Sequence, residues 1–400
     1  MKKYGWIAVA ALYYQLVPGW AEPVCQTFRG PLTLASADNQ PQVVYDYDTD
    51  RCPIPDLKNS RDFVDNPVRP FLVGDSNNPT VLWFAGNGKG YFKSTGPKDL
   101  SKIQRIMNNG HCTVWLSSRA NQFPNQYPIA SYYNEIWMVA PFTPDGQRVY
   151  ALVHNEYHIV PANTRDVYGN LIAASSSDAG GTFQFYQNAT GNNQPVIASP
   201  YPFTKGKGGM FAQSNIMQWG KYYYILVAQN LANQNPRMSN GVCIYRTDQI
   251  NDFSTWRGWG GQRYNVPLVP RYPSTLKDPK QYLCQPVLPN LYRFSWSYNT
   301  VLHRFIIIGV DTHYKMPNAG ATQAFVYTLA NLDATSGQLA PLMNASGAVQ
   351  EYFLKQINWT RTWQQDKSKA GEAYPSLLDP ASPILKDPLI PNPTPGDRNY

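Results

Sequence analysis

The residues best suited to chemistry lie in Tyr150-Ala-Leu-Val-His154-Asn-Glu156-Tyr-His158. Side chains alternate along a strand with period two, so Leu152, His154, Glu156 and His158 share one face. A carboxylate between two imidazoles at the end of an apolar strand is a proton donor or acceptor, and partial burial raises its pKa. The same cluster could equally be a satisfied set of hydrogen bonds inside a sheet. His154 and His158 could also begin a metal site, but no third ligand is evident at suitable spacing, and no metal or other cofactor is expected. Three further acids stand at strand ends. Asp75 closes Arg69-Pro-Phe-Leu-Val-Gly-Asp75, where Arg69 could clamp a carboxylate or hydroxyls. Glu135 leads into Ile136-Trp-Met, and Asp311 ends the apolar run Phe305–Val310. Asp75 also starts the turn Ser76-Asn-Asn-Pro79, a common place for an Asp with no special role.

Other chemistries leave no mark. There is no serine-hydrolase elbow, Walker loop or dinucleotide fingerprint, and Gly206-Lys-Gly-Gly209 is a lone glycine-rich stretch. The five cysteines, Cys25, Cys52, Cys112, Cys243 and Cys284, contain no Cys-x-x-Cys. Cys25–Cys52 and Cys243–Cys284 are the least demanding pairs in loop length, which would leave Cys112 as a thiol; connectivity itself does not follow from sequence.

The elements that must hold these residues are strands. Aromatic residues make 14% of 400 and charged residues 15%, with Pro 34 and Gly 28. That composition excludes a disordered chain and a helical repeat. Strand-like runs separated by turn residues occur at Phe71–Gly74, Val81–Ala85, Cys112–Leu116, Glu135–Ala140 and Val149–His154. They continue at Tyr222–Ala228, Val242–Arg246, Arg293–Ser297, Phe305–Val310 and Ala324–Leu329. Helix is expected only over Asp99–Asn109 and Ala348–Gln356. A unit recurs: Trp219-Gly-Lys-Tyr-Tyr-Tyr-Ile-Leu-Val-Ala228, then Gly241–Asp248, then Asp252-Phe-Ser-Thr-Trp256, with weaker copies elsewhere. Ser176-Ser-Asp178-Ala-Gly180-Gly-Thr182-Phe183 fits the Asp-box pattern, a hairpin cap in which Asp178 accepts from turn amides and Gly180 supplies a positive φ.

The Tyr-rich strand followed by Asp-Phe-x-x-Trp resembles the blades of five-bladed glycoside hydrolases of the arabinanase, levansucrase and invertase type. Trp296–Gly309 and Tyr374–Pro380 resemble further parts of such blades, and the Asp box is of the sialidase type. The resemblance implies an all-β, five-bladed β-propeller in a single domain over residues 22–374, with few short helices. A Pro-rich segment, 375–400, follows and could belong to the last blade. It implies a glycoside hydrolase acting on a poly- or oligosaccharide through carboxylates at the mouth of the central channel. Glu156, Asp311 and Asp75 would be the catalytic acids, with His154, Arg69, His158 and Glu135 binding substrate. Ser176, Asp178, Gly180, Thr182 and Phe183 would be structural. Trp83, Trp115 and Trp137 could stack on sugar rings. The short Asp-Pro opening of many arabinanase-like enzymes is missing, and no Arg triad of the sialidase kind can be assembled. A non-catalytic glycan-binding or surface-interaction propeller is the alternative.

Residues 1–21 read as a secretory signal peptide: Lys2 and Lys3, an apolar core over Tyr4–Val17, and cleavage after Ala21. A bacterial protein sent to the periplasm or medium is expected, without a membrane span after cleavage and monomeric. Loss of Lys2 and Lys3 lowers the formal charge from +8 to +6. No Lys/Arg run exceeds two residues, so a nucleic-acid partner is not expected.

Overall fold

The computed structural model describes residues 71–74, 80–84, 91–94, 103–105, 107–109, 111–112, 135–158, 167–186, 195–201, 207–231, 240–270, 276–288, 291–299, 304–311, 323–329, 332 and 352–353. The described chain is nearly all β. Its helix is confined to two single 3₁₀ turns, Phe253–Thr255 and Pro279–Tyr282. No helix among the described residues is long and apolar enough to cross a membrane.

The first sheet is a meander of β1 (Phe71–Val73), β2 (Thr80–Phe84), β3 (Tyr91–Ser94) and β4 (Ile103–Arg105). A short hairpin follows, β5 (Met107–Asn108) with β6 (His111–Cys112). The helix expected over Asp99–Asn109 is therefore not formed. Ile103-Gln-Arg105 instead supplies the edge strand beside Tyr91–Ser94, a tertiary pairing that outweighs local helical spacing. Likewise Tyr352–Phe353, inside the second expected helix, is strand.

The large sheet begins with β7 (Glu135–Phe142), β8 (Val149–His158) and β9 (Val167–Ser176). The β7–β8 turn is built by its own residues. Gly146 takes φ +78° and donates its N–H to Thr143 Oγ1, while Asp145 Oδ1 accepts from the amides of Gln147 and Arg148. Gly74, just past β1, donates to Gly146 O at 2.8 Å, which docks the first sheet at this turn. β8 and β9 then pair without interruption from Val149↔Ser176 to His158↔Val167. β10 (Gln184–Phe185) and β11 (Pro195–Ile197) flank β9.

β12 (Lys207–Phe211) runs parallel to β9 and antiparallel to β14 (Tyr222–Asn230). β13 (Met217–Trp219), β15 (Gly241–Thr247), β16 (Arg257–Trp259) and β17 (Tyr264–Val266) complete this half. β12 is thus the seam between two antiparallel units. A Cβ on Gly209 would lie 2.2 Å from Gly169 O, and one on Gly169 would lie 2.7 Å from Met210 O. Glycine at both positions lets the strands approach, so Gly209 of the glycine-rich stretch serves a strand seam. The last sheet is the meander β18 (Leu291–Asn299), β19 (Arg304–Asp311), β20 (Gln323–Leu329) and β21 (Tyr352–Phe353).

Three cores alternate with these layers. One lies between the β7–β9 and β14–β15 units and takes in Phe142, Leu152, Leu171, Ile225, Tyr245 and Trp256. A second lies between β14–β16 and β18–β20 and includes Leu226, Trp259, Trp296 and Ile307. The third, with Val73, Val149, Ala151 and Val153, covers the opposite face of β8. Antiparallel units therefore stack face to face in chain order. The described strands do not draw a closed ring.

Two cross-links reinforce the stack. Cys243 and Cys284 form a disulfide with Cα atoms 6.0 Å apart, within the usual range. Asn215, in the excursion between β12 and β13, donates to Trp296 O at 3.0 Å and accepts from Trp296 N at 3.1 Å. The Trp296 indole also donates to Asn215 O at 2.9 Å. Cys25, Cys52, residues 1–21 and residues 375–400 lie outside the described residues.

Candidate functional site

The alternation of β8 is visible in its packing. Val149, Ala151 and Val153 point to one core, and Leu152 to the other. His154 and Glu156 continue the Leu152 face toward the strand end. Exposure grows along that face, from 0% at Leu152 to side chains 12% exposed at His154 and 21% at Glu156. The strand thus runs out of the core into solvent, and its polar residues begin where burial relaxes.

His154 Nε2 lies 3.2 Å from Glu156 Oε1. With the proton on Nε2, the imidazole donates to the carboxylate and fixes Oε1 in position. The ring is held by aromatic neighbours, Trp137 at 5.3 Å and Phe211 at 5.9 Å between centroids. His154 Nδ1 and Trp137 Nε1 are buried polar atoms with no hydrogen-bond partner among the described residues. On the other face of β8, Asn155 donates its amide to Asn170 Oδ1 at 3.0 Å, both fully buried, which locks β8 to β9 beneath the site.

Register brings in a second acid. Glu135 is the Cα partner of Glu156, and Trp137 of His154. Residues directly opposed on antiparallel strands share a sheet face with Cα atoms about 4.5–5.5 Å apart. Two glutamates therefore stand opposed at the open end of the β7–β8 hairpin. Across β9 the same row continues to Gly169 and then to Gly209 at the seam.

The other expected residues are distributed as follows. His158 is the last residue of β8, opposite Val167. Asp311 is the last residue of β19, opposite Leu291, on a separate sheet. Leu288, three residues before Leu291, bridges to Val242 at the start of β15, and Val242 pairs with Ala228, itself the partner of Phe211. The Asp311 end of β19 and the Glu156 end of β8 consequently face the same end of the molecule. Arg69 and Asp75 lie outside the described residues. Gly74 sits at the turn end of the β7–β8 hairpin, roughly 20 Å along β8 from Glu156. Phe211, Gly169 and Gly209 were not expected at the site; the paired glycines within an apolar frame were the available signal.

At Ser176–Phe183, Ser176 Oγ donates to Asp178 Oδ1 at 2.6 Å and accepts from Gly180 N at 2.9 Å. Thr182 donates to Asp178 through both its amide and its hydroxyl, at 2.9 and 2.7 Å. Gly180 has φ +85°, and Phe183 packs against the third core. Partial burial pushes the Asp178 carboxyl up, but the hydrogen bonds from Ser176 and Thr182 together outweigh it and hold the group below the usual range. Ala179 N donates to Gln147 O, so this turn braces the β7–β8 turn. All of this lies at the end of β9 away from Glu156. Among the described residues no group of three or more His, Cys, Asp or Glu could hold a metal.

No protein-family model and no curated protein matches the sequence. Solved structures do match, glycoside hydrolases among them. A glycosyl hydrolase from Bacteroides ovatus shares 14% identity over 56% of this chain and 53% of its own, with a TM-score of 0.34. An α-L-arabinofuranosidase from Fusarium graminearum shares 13% over 76% and 72%, with a TM-score of 0.36. The β-fructofuranosidase catalytic domain of Microbacterium saccharophilum shares 9% over 75% and 69%, with a TM-score of 0.40. The chain spans about half the length of the first solved structures it matches, 53% for the Bacteroides ovatus protein.

Proposed function

We propose that this chain is an exported glycoside hydrolase built as a five-bladed β-propeller, with Glu156 as its general acid. The observation that carries the reading is the opposed pair Glu135 and Glu156, with His154 bonded to Glu156, where a buried strand opens to solvent. The face-to-face stack of antiparallel units supports the propeller, and residues 176–183 would be its Asp box. The sequence of residues 1–21 supports export, with cleavage after Ala21.

In this mechanism His154 engages Oε1, so the proton of Glu156 resides on Oε2. From there it passes to the glycosidic oxygen as the general acid's proton. As the carbon–oxygen bond breaks, charge develops on the sugar carbon, and Asp311 serves as nucleophile or as base for water. Trp137 packs on His154 beside the pair and backs its ring. The substrate is a poly- or oligosaccharide.

Reducing-sugar release from soluble arabinan, levan and yeast mannan tests the reading. Glu156→Gln should lower the rate by about 10²–10⁴-fold. Glu135→Gln, at the position read as substrate-binding, should raise KM more than it lowers kcat. Full activity in Glu156→Gln would sink the assignment. Binding without turnover by the wild type would favour a lectin-like propeller instead.

A further inference from the structure

A cleft of about 210 Å³ lies away from the glutamate pair, between the β10–β11 edge of one unit and the β16 edge of the next. Its wall includes Tyr186, Phe253, Ser254, Arg257, Pro267 and Pro270. Tyr186 hydrogen-bonds through its amide to Ala173 O, four residues along β9 from Gly169, or roughly 13 Å. We propose that this cleft is a second saccharide-binding site, separate from the catalytic pair.

Among the described residues Tyr186 is the large hydrophobic side chain left exposed, at 36%. An exposed aromatic ring costs free energy, yet this one is held firmly in place. Its backbone is pinned to β9, and its ring rests 5.9 Å from Phe253, which is buried in the first core. Facing it, Arg257 is fixed as well. Its Nη1 donates to Ser254 O at 2.8 Å and to Trp256 O at 2.7 Å, and Trp256 is fully buried. The guanidinium is thereby held at the cleft wall, with Nη2 and Nε as further donor groups. Ser254 Oγ spends its proton on Asp252 Oδ1 at 2.7 Å and keeps its lone pairs as acceptors. That bond engages Oδ1 of Asp252, whose carboxylate also interacts with Arg257 across a few residues.

A preset aromatic face beside preset donors and acceptors, over a floor of proline and aliphatic surface, fits a ligand with one apolar face and a rim of hydroxyls. That is a sugar ring. An apolar helix would leave Arg257 unpaired, and an anionic polymer would meet a single arginine. The volume is below the ~300–1,000 Å³ of sites for drug-sized ligands, which suits one or two sugar units of a longer chain. The choice of a saccharide rests on the proposed carbohydrate substrate, since both sites would hold one polymer.

Native-gel affinity electrophoresis in soluble arabinan, levan or yeast mannan tests this, using full-length wild type, Tyr186→Ala, Arg257→Ala, Tyr186→Phe and Glu156→Gln. Wild type should be retarded by at least one polymer. Tyr186→Ala and Arg257→Ala should each weaken retardation about tenfold, Tyr186→Phe should keep most of it, and Glu156→Gln should keep it fully. Thermal melts confirm that each variant is folded. Retardation lost in Glu156→Gln and kept in both alanine variants would overturn the cleft and leave the glutamate site standing. Absence of retardation in the wild type would also overturn it, whereas failure of the glutamate reading would appear only in sugar release.

Discussion

Replacing Gly209 by alanine should be far more damaging than its size suggests. Two costs add. Gly209 has φ +110°, a conformation that costs a residue with a Cβ about 1–3 kcal/mol. The new Cβ would also sit 2.2 Å from Gly169 O and 2.9 Å from Gly169 N, both backbone atoms that cannot rotate away. Relief requires β9 and β12 to separate by about 1 Å, with loss of one or two ladder hydrogen bonds at about 1 kcal/mol each. The expected total is about 2–5 kcal/mol. Gly220 provides the control. Its φ is also positive, at +58°, but nothing lies within 4 Å of its Cβ position, so Gly220→Ala should cost only about 1–2 kcal/mol. With a urea m-value of about 3 kcal/mol/M, the midpoint should fall by about 0.7–1.7 M in Gly209→Ala and by ~0.5 M in Gly220→Ala. Gly169 pairs with Glu156, so sugar release should fall with Gly209→Ala and stay unchanged in Gly220→Ala. Equal destabilisation by the two substitutions would refute the seam as a close-packed backbone contact.

Two further outcomes follow from the same structure. Cys243 and Cys284 close a loop with a sequence separation of 41, for which the chain-entropy relation gives about 4 kcal/mol; the Cys243→Ala, Cys284→Ala double variant should lose about that in urea titration, and a loss below ~1 kcal/mol would contradict it. Asp178 and Asp145 both have folded carboxyls held below their usual value of 3.8, so the stability they contribute is complete above that pH and lost as pH falls through the depressed folded values. Asp178→Asn should therefore lower the melting temperature at pH 6, and the gap from wild type should close toward pH 3; a gap that widened on acidification would reverse the assignment.

The strands were legible because their signal is local. Glu135–Ala140, Val149–His154 and Phe305–Val310 carry apolar or β-branched runs bounded by turn residues, and each forms a strand at nearly those bounds. Ile103-Gln-Arg105 was not legible, since its helical spacing is overruled by the edge of β3, a partner that spacing along the chain does not reveal. At the site, His154 and Glu156 were recoverable from period two. The opposition of Glu135 to Glu156 depends on hairpin register, including the bulge between Trp137 and Ala140, and register is fixed by the turn at Gly146 and by both faces packing at once. Gly169 and Gly209 are 40 positions apart, and only the parallel pairing of β9 with β12 gives them a common purpose.

Asn215 has a consequence for how the molecule assembles. Its side chain exchanges two hydrogen bonds with the backbone of Trp296, as a strand neighbour would, and the indole returns a third across 81 positions of sequence. Such a clasp closes at one offset only: a slip of one residue would leave a buried amide facing carbon. Neither unit can satisfy these groups alone, so a half-melted molecule gains nothing from the half still standing. A stack that could have come apart layer by layer, as repeat arrays do, is instead tied into joint melting by one asparagine.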